Sequence, residues 1–143
     1  GVIAKALGMH VIPYSKDPEG AVEADVVSLH SPLTDKNRLM VNEAFIKKMK
    51  DGALLLNTAR GGLIDEFALA EALKSGKLAG AGLDVLTVEP PRKEDANPLF
   101  GIENCFITPH HAWMPSETRT LLIQTVADGI ASYQNGGDLN RVD

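Results

Sequence analysis

The stretch ALLLNTARGGLIDEFALAEALKSGKLAGAGLDV, residues 53–85, decides the fold class of this chain. Its first five residues and its last seven are short apolar runs, and each run predicts a strand. Between them, Asp65 and Glu66 begin a helix, which ends at Lys74 and Gly76. A strand–helix–strand order predicts an α/β fold in which helices cover a mostly parallel sheet.

The alternation of strands and helices continues on both sides of this stretch. On its N-terminal side, apolar runs rich in β-branched residues predict strands at 9–14 and 25–30 that are buried on both faces, and a helix follows at about residues 42–50. On its C-terminal side, the sequence predicts a strand at 105–108 and a helix over about 116–133. The buried face predicted for this last helix consists of Leu122, Ile123, Val126, Ala127 and Ile130.

Length and charge exclude several classes of partner. The chain has 143 residues, which is the usual size of one domain. Its 14 basic and 19 acidic residues give a net charge of −5 without a basic cluster, so we expect no nucleic-acid partner. No apolar run approaches the ~20 residues of a membrane span, and we expect a cytoplasmic protein with no membrane partner.

The cysteine and histidine content argues against a metal site. The single cysteine, Cys105, excludes an internal disulfide and a cysteine-rich metal site. Because the apolar Phe106 follows it, we expect a buried and unreactive thiol. No pair of His or Cys residues has the usual spacing of zinc ligands, so we expect no metal.

The connection between the first two predicted strands is short. Residues 15–24 are only ten residues, whereas a parallel crossover with its helix needs at least ~10–12. Either the chain has no helix at this point, or part of the natural sequence is missing there. The sequence alone leaves both alternatives open.

Four polar residues follow predicted strands. Arg60, Asp84 and Glu89 follow the strands of the central stretch, and His110 follows the strand at 105–108. Ligands of parallel sheets lie beyond the carboxyl ends of the strands, so these side chains are candidates for function. An arginine holds a carboxylate by two parallel hydrogen bonds, and a histidine kept protonated by a carboxylate gives a proton to a carbonyl oxygen. The set suits reduction of a carbonyl beside a carboxylate, although each residue alone is more often structural or solvated.

The order of these motifs resembles one known family. NTARGG at 57–62, GLDV at 82–85, EP at 89–90 and TPH at 108–110 closely resemble motifs of the D-isomer-specific 2-hydroxyacid dehydrogenases. ADVVSLHSPLT at 24–34 resembles the family's adenosine-side segment, and the resemblance extends over nearly the whole chain. It implies a Rossmann-like, doubly wound parallel sheet that binds NAD or NADP.

The resemblance also implies roles for individual residues. Arg60, Glu89 and His110 match the family's catalytic arginine, glutamate and histidine. Asp84 matches the residue that fixes the nicotinamide carboxamide. Trp113 resembles a substrate-side aromatic of the glycerate and hydroxypyruvate reductase branch, and the alternative is a tryptophan packed at an interface. The residues that the resemblance places along the cofactor groove are Ser31, Pro32, Thr58, Ala59, Arg60, His110 and Ala112.

Two further cofactor positions depart from the family pattern. Gly1 is the only candidate for the third glycine of the dinucleotide fingerprint, and it stands closer to Gly8 than in similar proteins. Ser15 stands where an acidic residue usually binds the adenosine ribose, and Lys16 follows it. The absence of that acidic charge favours tolerance of the 2′-phosphate of NADP but does not decide between NAD and NADP. We expect both Gly1 and Ser15 to contact the cofactor.

The resemblance makes residues 1–143 a partial nucleotide-binding domain. The family's N-terminal substrate domain has no counterpart in this sequence, and residues 134–143 resemble the family's C-terminal return toward that domain. We therefore expect the cofactor-binding portion of a longer enzyme, with a sheet that is incomplete at its N-terminal side. We expect the full-length protein to be a homodimer.

The activity implied by the resemblance is hydride transfer between a nicotinamide cofactor and a small 2-keto or D-2-hydroxy acid, such as hydroxypyruvate or glyoxylate. Glu89 argues against the formate dehydrogenase branch, which carries a glutamine at this position. The alternative is a cofactor-sensing, non-catalytic relative, similar to the corepressors that share this fold. The sequence chooses neither the individual 2-hydroxy acid nor between NAD and NADP.

Overall fold

Residues 1–92 and 96–140 are described by a computed structural model. The chain divides into two units, Gly1–Pro109 and His110–Asp143. Residues 141–143, the end of the segment predicted to return toward a substrate domain, lie outside the described residues. Within the described residues, every helix is too short or too polar to cross a lipid bilayer.

Four parallel strands form one sheet in the first unit. Asn57 of one strand lies beside Leu29 and Leu83 of its two neighbours, and Leu83 lies beside Ile107. The carboxyl ends of all four strands therefore meet at one edge, and the predicted parallel sheet is confirmed. In spatial order the strands are β1 (Val26–Leu29), β2 (Ala53–Asn57), β3 (Leu78–Leu83) and β4 (Cys105–Ile107).

Two of the helices begin at residues whose side chains cap the first turn. Asp65 accepts the amide hydrogens of Phe67 and Ala68 at the start of one helix, and Asn42 accepts that of Phe45 at the start of another. In chain order the helices are α1 (Val2–Ala6), α2 (Pro18–Val22), α3 (Glu43–Lys48), α4 (Glu66–Lys74) and α5 (Ser116–Gln134), with a 3₁₀ turn at Gly61–Leu63 before α4.

The core of the first unit consists of apolar side chains from the strands, α3 and α4. Leu55 of β2, Leu69 of α4 and Leu78 of β3 are completely buried. Along β1 the burial alternates, because Val27 and Leu29 are buried whereas Ser28 is exposed. The prediction that this strand is buried on both faces is therefore wrong, and its residues follow the two-residue period of a strand with one covered face.

The strand predicted at 9–14 is not formed. Within residues 1–92 and 96–140, this segment pairs with no strand of the sheet, and Met9 and Tyr14 are 49% and 51% exposed. An apolar run becomes a strand only where a neighbouring strand accepts its hydrogen bonds and a packed layer covers its side chains. Pro13 also removes one of the amide donors that such pairing uses.

The short connection at 15–24 contains a helix. α2 has five residues, and it begins after Asp17, whose side chain accepts the amide hydrogen of Gly20 at 2.9 Å. Pro18 occupies the first helical position, where its missing N–H costs no hydrogen bond. The alternative that the chain has no helix at this point is therefore wrong.

The second unit contains α5, whose predicted apolar face is exposed. Leu122, Ile123, Val126 and Ile130 are 54–70% exposed, and Ala127 is exposed as well. The prediction that these residues are buried is wrong. Helical periodicity shows which side chains share a face, but burial depends on what covers that face.

Candidate active site

The loop after β2 is held by a buried asparagine. Asn57 is completely buried; its side-chain nitrogen donates to the Arg60 carbonyl oxygen at 2.9 Å, and its side-chain oxygen accepts the Ala59 amide hydrogen at 3.0 Å. The Arg60 side chain is exposed, and its Nη1 donates to the Ala59 carbonyl oxygen at 2.7 Å. Asn57 thus determines the backbone from which Arg60 projects.

A glycine brings this loop against the loop that follows β3. A Cβ at Gly61 would lie 2.0 Å from the carbonyl carbon of Leu86 and 2.4 Å from the nitrogen of Thr87. Only glycine permits this approach, because those atoms belong to the backbone and have no rotamer with which to move away. The residue after Arg60 therefore touches the backbone three residues before Glu89.

Asp84 connects β3 with its two neighbouring strands. It is 7% exposed, its amide donates to the Asn57 carbonyl oxygen at 2.9 Å, and its Oδ1 accepts the Thr108 hydroxyl hydrogen at 2.5 Å. Thr108 therefore orients the carboxylate that the resemblance assigns to the nicotinamide carboxamide.

The Glu89 carboxylate binds the backbone of its own loop. Its Oε1 accepts the amide hydrogen of Leu86 at 2.7 Å, which is a charge-assisted hydrogen bond. The side chain is exposed, and the peptide bond to Pro90 is cis. The carboxylate is thus held beside the backbone that Gly61 contacts.

The loop after β1 is held by an asparagine that the sequence analysis missed. Asn37 donates from its side chain to the Pro32 carbonyl oxygen at 2.7 Å and accepts from the amide and hydroxyl of Thr34 at 2.7 and 3.0 Å. These bonds shape the segment that begins with Ser31 and Pro32. The sequence signal for Asn37 is its position in a loop three residues after a threonine, a spacing at which side chains bind the local backbone.

The second unit carries His110, Ala112 and Trp113. The backbone of His110 is left-handed, with φ of 50°, and its carbonyl oxygen accepts the Trp113 indole hydrogen at 2.9 Å. Left-handed backbone at a residue other than glycine is concentrated at functional sites. The side chains of all three residues are exposed.

The two remaining cofactor candidates belong to no strand and to no loop that directly follows a strand. Gly1 is exposed and caps α1, and no atom lies within 4 Å of a Cβ built there. Ser15 is exposed in a turn, because the strand at whose end it was predicted is not formed. Their contact with a cofactor stays a prediction.

The environment of Cys105 suits an unreactive thiol. Cys105 is half-buried, and burial, together with the negative charge of Glu66, raises the pKa of its thiol. A raised pKa keeps the thiol protonated at neutral pH, as expected for an unreactive cysteine. In the part of the chain that the structure describes, no three His, Cys, Asp or Glu side chains are grouped to hold a metal ion.

Comparison with known proteins identifies the family. Residues 2–112 match the family described as D-isomer specific 2-hydroxyacid dehydrogenase, NAD binding domain. The chain belongs to this family. It is 41% identical to a hydroxypyruvate reductase of Blautia hydrogenotrophica over 99% of this chain, and 39% identical to a glycerate dehydrogenase of Methylorubrum extorquens over 98% of it. The chain spans about half the length of these relatives, 48% and 47% respectively.

A solved structure confirms the fold. The NAD-complexed D-isomer specific 2-hydroxyacid dehydrogenase of Lactobacillus delbrueckii ssp. bulgaricus superposes with a TM-score of 0.82 at 29% identity. The match covers 99% of this chain and 50% of that one. The predicted family and the Rossmann-like NAD-binding fold are therefore confirmed.

The side chains at the carboxyl edge suit a nicotinamide dinucleotide. Thr58 provides an exposed hydroxyl and Arg60 an exposed guanidinium, both of which bind anionic oxygens. The Asp84 carboxylate stands at the end of β3, and a carboxylate is the natural acceptor for a carboxamide N–H. These groups lie beyond the carboxyl ends of parallel strands, which is where α/β sheets bind nucleotides.

Proposed function

We propose that the full-length protein transfers a hydride between a nicotinamide cofactor and a small 2-keto or D-2-hydroxy acid. The observation that carries the proposal is the contact of Gly61 with Leu86 and Thr87, which joins the Arg60 loop to the Glu89 loop at the carboxyl edge of the sheet. The relatives named hydroxypyruvate reductase and glycerate dehydrogenase favour hydroxypyruvate or glyoxylate as substrate.

Arg60 is proposed to bind the substrate carboxylate. Its guanidinium offers two parallel N–H donors, which match the two carboxylate oxygens and polarise the adjacent carbonyl. The Asn57 side chain fixes the backbone on both sides of this arginine, so the direction of the guanidinium is limited before substrate arrives. Such preorganisation reduces the entropy lost on binding.

Proton transfer is assigned to His110, with Glu89 as the carboxylate of the catalytic set. A histidine changes its protonation near neutral pH, so it can give a proton to the carbonyl oxygen and accept it in the reverse reaction. The reduced nicotinamide supplies the hydride. Asp84, which Thr108 holds, orients the carboxamide side of the ring.

Several properties of the whole protein belong to the same proposal. Ser15 and Lys16, in place of an acidic residue, favour tolerance of NADP beside NAD. Trp113 is proposed to lie on the substrate side. We also propose a homodimer of the full-length protein and a cytoplasmic location, where a single unpaired cysteine is ordinary.

Steady-state kinetics of the full-length protein test this function. We expect NADH or NADPH to be oxidised in the presence of hydroxypyruvate or glyoxylate, and Arg60→Lys to lower kcat/KM about 100-fold because two-point binding is lost. Arg119→Lys, at an exposed position of α5, is the matched control and leaves the kinetics unchanged. NADH binding without turnover of either acid would contradict the enzyme and favour the cofactor-sensing alternative.

A further inference from the structure

Glu66 uses both carboxylate oxygens to join distant parts of the chain. Oε1 accepts the amide hydrogen of Thr87 at 2.8 Å, and Oε2 accepts a side-chain amide hydrogen of Asn97 at 2.9 Å. The residue is half-buried at the first position of α4. Its carboxylate therefore forms two charge-assisted hydrogen bonds, of which the bond to Thr87 lies at the surface and the bond to Asn97 is partly buried.

Capping of α4 does not account for this carboxylate. Asp65 already accepts the amide hydrogens of Phe67 and Ala68, so the first turn has its side-chain cap. The oxygens of Glu66 bind groups 21 and 31 residues further along the chain. Its role is therefore tertiary, beyond the general preference for acidic residues at a helix N-terminus.

Three contacts hold the backbone at Leu86 and Thr87. Glu66 accepts the N–H of the Leu86–Thr87 peptide, and the backbone at Gly61 lies against the same peptide. The Glu89 carboxylate accepts the amide hydrogen of Leu86, which belongs to the preceding peptide. Gly61 is the neighbour of Arg60. A shift of this peptide would therefore move the Glu89 carboxylate relative to the backbone of Arg60.

We propose that Glu66 is a positioning residue that holds the Leu86–Thr87 peptide against Gly61 and thereby fixes Glu89 relative to Arg60. The proposal rests on the proposed function, in which Arg60 and Glu89 act on one substrate. Glu66 does not touch the reacting atoms. It acts through the backbone that carries Glu89.

The variant Glu66→Gln in the full-length protein breaks the bond to Asn97 and weakens the bond from Thr87, because its acceptor loses the negative charge. An amide at this position still accepts from Thr87, but it then presents N–H donors to the Asn97 nitrogen. Asn97 cannot turn over without loss, because its oxygen accepts the Leu99 amide hydrogen at 2.9 Å. We expect kcat for hydroxypyruvate to fall about tenfold, with KM for NADH within about twofold of wild type.

The double variant Glu66→Gln/Asn97→Asp exchanges donor and acceptor. The amide introduced at position 66 donates to the carboxylate introduced at position 97, whose other oxygen accepts from Leu99. The pair keeps one negative charge in total. We expect kcat to return to within about threefold of wild type. The matched control is Glu71→Gln, an exposed carboxylate of the same helix, which leaves kcat unchanged.

A readout independent of turnover separates this proposal from the proposed function. Hydrogen exchange at the Thr87 and Leu86 amides is expected to quicken about tenfold in Glu66→Gln, to recover in the double variant and to stay unchanged in Glu71→Gln. Wild-type protein without turnover contradicts the proposed function and leaves this readout valid. Unchanged exchange and kcat in Glu66→Gln, or a loss that the double variant does not restore, overturns the positioning role.

Discussion

The two edges of the sheet are closed by different kinds of interaction. At the carboxyl edge, the buried Asn57 and Asp84 bind backbone and side-chain groups of neighbouring loops. At the amino edge, ion pairs with a highly exposed partner occur beside hydrogen bonds from Lys77 to the Met49 carbonyl oxygen and from Asn104 to the Ala79 carbonyl oxygen. Lys50 pairs with Asp25 at 2.5 Å, and Lys77 pairs with Asp51 at 2.6 Å.

The amino edge is therefore held loosely, whereas the carboxyl edge is preorganised. Exposed ion pairs hold long side chains weakly, because solvent screens the charges and ordering the side chains costs entropy. A buried amide that loses its partners has no water to replace them, so its geometry is maintained. The carboxyl edge can therefore present side chains in fixed directions, which recognition of a substrate requires.

The largest difference in the free energy of unfolding is expected when polar side chains of the two edges are replaced by alanine. Asn57→Ala leaves the Ala59 amide and the Arg60 carbonyl without their side-chain partner, and we expect a loss of about 3 kcal/mol in the free energy of unfolding. Asp51→Ala at the amino edge, where the carboxylate is 89% exposed, is expected to change it by less than about 0.5 kcal/mol. Urea denaturation of both variants measures this, and equal losses would remove the distinction.

Replacing a glycine at each edge is expected to give a smaller difference in stability but a clear difference in turnover. Gly61→Ala places a methyl group into the Leu86 backbone, and we expect a cost of about 2–3 kcal/mol. Gly52→Ala meets no atom within 4 Å and strains only a backbone φ of +78°, at about 1–2 kcal/mol. In the full-length protein only the Gly61 variant should lose turnover. Equal kinetics in the two variants would contradict the contact between the loops.

The smallest effect on the free energy of unfolding is expected at the exposed ion pair of Lys50 and Asp25. The hydrogen bond and charge of Lys50 lower the pKa of Asp25, so the stabilisation is present above the ordinary pKa of aspartate and disappears as the pH falls through the lowered value. Because both groups are solvent-exposed, Asp25→Asn should leave the urea midpoint at pH 7 unchanged within error. A clear drop that 0.5 M NaCl does not abolish would mean that this edge is also structurally essential.

The sequence predicts the central stretch well because local and tertiary signals agree there. Asp65 caps α4, and Gly76 follows the end of this helix. The two flanking apolar runs form β2 and β3, which pair with each other in parallel. The same reasoning fails at 9–14, where β-branched residues are present but no strand among the described residues pairs with the segment. Strand formation depends on residues far away in sequence, and composition does not show them.

The sequence predicts the candidate-site residues that follow strands and misses the residues that support them. Arg60, Asp84 and Glu89 could be predicted because they follow strands and match a family pattern. Glu66 was read only as a helix start, because its partners lie 21 and 31 residues away. Hydrogen bonds over such separations leave no local periodicity, and only the folded chain shows them.

Hydrogen exchange of the full-length protein with and without saturating NADH tests most directly whether the carboxyl edge is the cofactor site. We expect NADH to slow exchange in peptides covering 58–62 and 83–86, at the ends of β2 and β3. Peptides covering 48–53 and 74–78, at the starts of the same strands, should be unchanged. Protection of the amino-edge peptides, or the absence of protection at 58–62 and 83–86 while NADH is bound, would contradict the account.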